Sequence, residues 1–299
     1  MKKILAVLLV LAMVIAFAAC GGKTEENTTT TEAASTTEAT EATEATTEST
    51  TAETTTETTT EATTVEEKDK LPETKEEILA AYTKVMNQAK ADKPGFTKTQ
   101  FQELPDDADS RIIAKGGTLV ETALKVAGNF MTTEKDAKAN PEHKDKGSDM
   151  HSWPLYDNDT YGCLLTDASF LKSAKAEKLS DGQIKLTLVT GSEKNPEPAK
   201  NNSKSPSKTG GIAGVLATSD IDDALNGGIV SAVFKDVTYS LIYHDCVCTV
   251  TYDPETLHVS DVEQTTKVTI SGAAKAVAIP LDITKQELID HSHLYDIVY

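Results

Sequence analysis

Apolar residues follow three regimes along the chain. Ile4 to Phe17 form an unbroken apolar run behind Lys2 and Lys3. From Thr24 to Thr64 almost no apolar side chain is larger than Ala, so this stretch has too little to bury to offset its ordering entropy. Periodic patterns begin beyond Leu71-Pro72. Ile78, Leu79, Tyr82, Val85, Met86 and Ala89 recur at helical spacing behind Thr74 and Glu77, a capping-box pair, and predict a helix that stops before Pro94-Gly95. Leu119, Val120, Ala123, Leu124, Ala127, Phe130 and Met131 share one face of a second predicted helix after Gly116-Gly117. A short third helix is predicted over 219–226, with Ser219 or Asp220 as its cap and Gly227-Gly228 as its stop.

Elsewhere the period falls to two. Phe96 to Leu104 alternates weakly, and Pro105 to Asp109 reads as a turn. Ser173–Ser180 and Gln183–Thr190 flank Asp181-Gly182, a strong hairpin signal. Ile229–Tyr243, His244–Tyr252 and Leu257–Ser271 read as strands of an antiparallel meander, with Asp253-Pro254-Glu255-Thr256 as a turn. Residues 140–162 and 191–211 are polar and irregular and predict loops, the second one long and mobile. The order predicts an α+β domain, with two or three helices packed on one face of a twisted antiparallel β-sheet.

Charge narrows the functional classes. The 299 residues carry a formal net charge of -18, and the basic side chains are 28 Lys and the single Arg111, an arrangement that argues against nucleic-acid binding. Residues 21–70 hold 13 acidic groups against Lys23, Lys68 and Lys70, so they contribute 3 minus 13, or -10, and repulsion should extend them as a tether. A flexible-chain scaling of ~5–6 Å times the square root of length gives a reach of roughly 35–40 Å. Thr at this density also fits an O-glycosylated stalk.

The basic start, apolar run and Ala18-Ala19-Cys20 ending have the layout of a secretory signal, and they resemble the lipobox of bacterial lipoproteins, with Phe17 where Leu is more usual and Gly21-Gly22 following. The resemblance implies a signal peptide over 1–19 and a diacylglyceryl anchor on Cys20. It further implies display on the extracellular face of the bacterial cytoplasmic membrane, with 20–70 as a disordered tether and 71–299 as the globular domain. The strand-turn-strand run is similar to that of helix-on-sheet surface lipoproteins of Gram-positive bacteria, some of which bind lipids.

Candidate chemistry is sparse. Trp153, the one Trp, lies near His143, His151, Tyr156 and Tyr161 in a stretch that reads either as a binding loop or as a loop pinned by one aromatic. His244, Cys246 and Cys248 would share one face of an extended strand, yet no second Cys pair completes a zinc site, so small buried thiols are the expected reading. Cys163 could pair with Cys246 or Cys248 in an oxidising exterior. His291 and His293 with Asp290 and Asp296 offer metal ligands but read as solvated, and Asp157 to Gly162 begins like a calcium loop without its closing Glu. Thr209-Gly210-Gly211 and Asn226-Gly227-Gly228 lack the lysine of a phosphate loop, and no nucleophile is paired with a base in any catalytic motif. The expected function is therefore capture of a small or apolar ligand, without cofactor, in a pocket lined by residues such as Leu119, Leu124, Phe130 and Tyr239. The alternative is an interaction or adhesion module with a patch around Trp153 and Tyr156, contacting a surface protein or cell-wall polymer. An extracellular enzyme comes last.

Overall fold

The computed structural model describes residues 71–299 apart from positions 157, 200–206, 227–230, 233 and 277. The leader, Cys20 and the tether lie outside the described residues. Helix α1 (Lys75–Asp92) opens with both halves of its capping box, since Thr74 Oγ1 accepts from the Glu77 amide at 3.1 Å and the Glu77 carboxylate accepts from the Thr74 amide at 3.0 Å. Lys93 closes it with left-handed backbone, φ 50°. Helix α2 (Gly117–Gly128), the short α3 (Glu134–Ala139) and α4 (Thr218–Asn226) complete the labelled helices. None of the described helices is long and apolar enough to cross a membrane.

The strands are β1 (Gly95–Glu103), β2 (Arg111–Lys115), β3 (Glu142–Lys144), β4 (Leu171–Lys178), β5 (Ile184–Thr190), β6 (Glu193–Lys194), β7 (Phe234–Tyr252), β8 (Val259–Ala276) and β9 (Ile279–Val298). They form one nine-stranded antiparallel sheet in the order β3-β1-β9-β8-β7-β5-β4, with β2 also on β9 and β6 on β7.

This corrects the expected α+β class: the molecule is mostly one large antiparallel sheet with few helices, not two or three helices packed across a smaller sheet. Three local features explain the difference. The two strands expected over 229–252 join within β7, which runs on through irregularities at Asp236 and Asp245, both in left-handed backbone. Residues 279–298, to which the apolar pattern assigns no element, form the long β9, because polar Gln286, Asp290 and Ser292 alternate with Leu288 and Leu294 on its inner face and hide the period. Much of the covering layer is irregular chain: Met150, Trp153, Cys163, Leu165, Ile212 and Leu216 are buried with Tyr82 and Met86 of α1 against Leu186, Leu188, Val250 and Val262 of the sheet. The described ends of 191–211 are anchored too, Glu193-Lys194 pairing with β7 and Thr209–Gly211 forming a buried 3-10 turn, while 200–206 lie outside the described residues.

A second, smaller apolar cluster joins Val120, Ala123 and Leu124 of α2 to Phe234, Ala276 and Leu281 at the far ends of β7, β8 and β9. That corner carries the cavity described next.

Candidate functional site

The cavity forms because α2 and α4 meet a stretch of sheet built from small residues. Gly272, Ala273 and Ala274 of β8 leave a depression walled by Val120, Ile221, Leu225, Phe234, Leu241, Ile270, Leu281 and Ile283. Its volume is about 130 Å³. An engineered cavity of roughly 150 Å³ with similar lining stays dry and holds a benzene-sized molecule, so this space suits a ring or a short alkyl segment. The start of α2 is pressed onto the cavity wall: Gly116 has φ 91°, and a Cβ there would stand 2.7 Å from Leu281 Cδ2. Only glycine meets both demands without strain.

Polar groups sit at the cavity's edge. Tyr239 donates its hydroxyl to Asp222 Oδ1 at 2.8 Å and to the Thr218 carbonyl at 3.2 Å, fastening β7 to α4. Burial, and then the neighbouring Asp222 carboxylate, push the Tyr239 hydroxyl above its ordinary range. Asp282, Ser271 and Thr238 also border the space. A larger open groove of about 660 Å³ lies between β2 and α2, lined by Leu104, Asp106, Arg111, Ile113, Glu121, Leu124 and Lys125. Its charges are of both signs, and Arg111 Nε donates to Gln286 Oε1 at 2.6 Å.

Of the residues expected to line a pocket, Tyr239 stands in the cavity wall, and Leu119 and Leu124 pack in the adjoining cluster. Phe130 does not reach it. It lies beyond the end of α2 and is 57% exposed. Trp153 is 0% exposed and packs edge-on against Phe96 with centroids 5.4 Å apart. Tyr156 lies under the Lys98 ammonium, which stands 4.1 Å from its ring centroid. Neither Trp153 nor Tyr156 forms an exposed contact patch.

What pins that loop is a residue the sequence reading passed over. Lys90 is fully buried, and its ammonium donates to the carbonyls of Met150, Leu155 and Trp153 at 3.0, 3.1 and 3.4 Å and to that of Asn158. Its position four residues after Met86, inside the apolar stripe of α1, was the available signal.

A bulge divides the His244, Cys246, Cys248 run. His244 pairs with Lys267 on the outer face, the register slips at left-handed Asp245, and Val247 then pairs with Thr265 on that same outer face. Cys246 and Cys248 therefore turn inward, both at 0% exposure, away from His244. Cys163, Cys246 and Cys248 are all free and buried. Burial raises each thiol, Cys163 to about 11, although the Thr83 hydroxyl donates to Cys163 Sγ at 3.3 Å.

His244 has Asp245 at 3.1 Å on Nδ1, and Thr269 Oγ1 and Glu287 Oε2 at 3.1 and 3.2 Å on Nε2. The geometry is close to a hydroxyl-imidazole-carboxylate relay, but the Thr269 hydroxyl donates to Glu287 Oε1 at 2.6 Å rather than to the imidazole. It reads as a cross-strand ion-pair network. Asp290 is not solvated as expected but faces inward, held by the Gln100 amide at 2.9 and 3.0 Å, whereas His293 faces outward, so these two cannot share an ion. Of the calcium-like stretch, Asp157 lies outside the described residues, and Asn158 Oδ1 accepts from the Thr160 and Tyr161 amides at 3.0 and 2.9 Å, as in a turn.

Comparison with known proteins adds little to this geometry. A family model described as the New glue protein family matches residues 1–94, under a third of the chain, ending just before β1. No curated protein and no solved structure matches.

Proposed function

We propose that the protein is a bacterial lipoprotein, anchored through diacylglyceryl-Cys20 to the extracellular face of the cytoplasmic membrane, whose sheet domain captures a small apolar ligand. The observation that carries this reading is the cavity of about 130 Å³ between α2, α4 and the small-residue stretch of β8. The depression is half open to solvent and lined almost wholly by apolar atoms, which there face water in place of dispersion contacts. An apolar group of ring or short-chain size would restore those contacts, with the polar remainder of the ligand emerging near Asp282. The full burial of Trp153, with Tyr156 only partly exposed beneath Lys98, speaks against a contact module centred on them.

Filling the space tests the reading. Ala274→Phe should place a ring where the ligand's apolar group would sit, and should lower the affinity for an apolar fluorescent dye such as N-phenyl-1-naphthylamine at least tenfold with the fold intact. Equal dye binding by wild type and variant would reject the cavity as the site.

A further inference from the structure

The outer face of the sheet carries a group of side chains with a different chemistry. Glu263 of β8 pairs directly with His293 of β9, and Asp261 lies two residues along β8 on the same face. One ligand atom from each of Asp261, Glu263 and His293 lies within 4.8 Å of the others, and His293 Nε2 is 2.7 Å from Asp261 Oδ2. The geometry points to a divalent metal site at this position, selective for a borderline ion such as zinc.

Convergence distinguishes this group from the other His-carboxylate contacts among the described residues, of which His291 has only Glu103, at 3.8 Å. His151 has Asp149 and Asp159 on opposite ring nitrogens, and His244 has Asp245 and Glu287 likewise, so neither pair of carboxylates can meet one ion beside one nitrogen. At His293 both carboxylates gather with a single nitrogen. A tetrahedral zinc with N and O ligands at ~2.0–2.2 Å spaces them by about 3.4 Å, within reach of small side-chain rotations here. Glu263 and His293 stand opposite one another in the β8–β9 ladder and Asp261 pairs with Thr251 of β7, so the sheet positions all three, and in the metal-free form the His293 to Asp261 hydrogen bond holds two of them together. Thr249 and Thr99 flank the row as partners of Glu263 and His293, and their short hydroxyls add no competing cation. One nitrogen and two carboxylates suit zinc better than calcium, which takes six to eight oxygens.

The test is calorimetric titration of the metal-stripped full-length chain in detergent with zinc, and separately with calcium and magnesium. One equivalent of zinc should bind wild type, and His293→Gln and Glu263→Gln should each weaken it at least tenfold, while His151→Gln should not. Unchanged thermal unfolding without metal shows that each variant is folded. If His293→Gln fails that check, exposed Glu263→Gln carries the comparison. No zinc uptake by wild type, undiminished uptake by the folded variants, or calcium binding as tight as zinc would overturn the site.

Discussion

Lys90 and Lys98 show how single buried charges govern this molecule. The three N–H groups of the Lys90 ammonium are shared among four carbonyls of the 150–158 loop, and Lys90→Met would strand these in a site closed to water. An unsatisfied buried acceptor costs roughly 1–3 kcal/mol, so Lys90→Met should lower unfolding stability by at least ~2 kcal/mol in urea titrations. Lys98 is lowered from 10.5 to about 8 by desolvation, with Glu142 and Asp290 opposing the shift. Between those pH values the folded state holds fewer protons than the unfolded chain, so Lys98 adds stability as pH rises through that window. The buried thiols act the other way above their unfolded pKa, because their folded pKa values are raised. The stability difference between wild type and Lys98→Met isolates the lysine, and it should shift toward wild type by up to ~1.4 kcal/mol per pH unit across that window. A constant difference in urea unfolding at several pH values would contradict the assignment.

At the scale of elements, the three longer helices and much of β7 and β8 were legible in the sequence, whereas α3 and the long β9 were not. The capping box and stripe of α1, and the Asp181-Gly182 hairpin between β4 and β5, follow from local rules that the packing obeys. β9 fails those rules because its inner face carries buried Ser292 together with Gln286 and Asp290, whose partners Pro105 and Gln100 lie far away in the sequence and in no short window. The bulge at Asp245 is equally silent, yet it decides that His244 faces away from both cysteines. Its left-handed backbone predicts an order of tolerance: Asp245→Gly should be milder than Asp245→Val by roughly 1–2 kcal/mol in thermal unfolding, since a β-branched residue resists φ 50°. The candidate site was half visible for the same reason. Tyr239 and the α2 stripe could be read from periodicity, whereas the depression arises from Gly272, Ala273 and Ala274 meeting two helices remote in sequence.

In the whole molecule, the proposed lipid anchor on Cys20 and the acidic 21–70 segment precede a sheet domain that carries an apolar cavity. The anchor is tested by Cys20→Ala, which should move the protein from the membrane fraction to the medium; retention in the membrane would contradict lipidation at that residue. Tyr239 fastens β7 to α4, and Gly116 lets the start of α2 press onto Leu281 in the cavity wall. The most direct measurement is native mass spectrometry of gently purified Cys20→Ala protein beside the same protein carrying Ala274→Phe. A reproducible excess mass is expected on the first, lost on denaturation and absent from the second. The bare polypeptide mass for both, persisting after incubation with apolar small molecules and lipids, would contradict ligand capture.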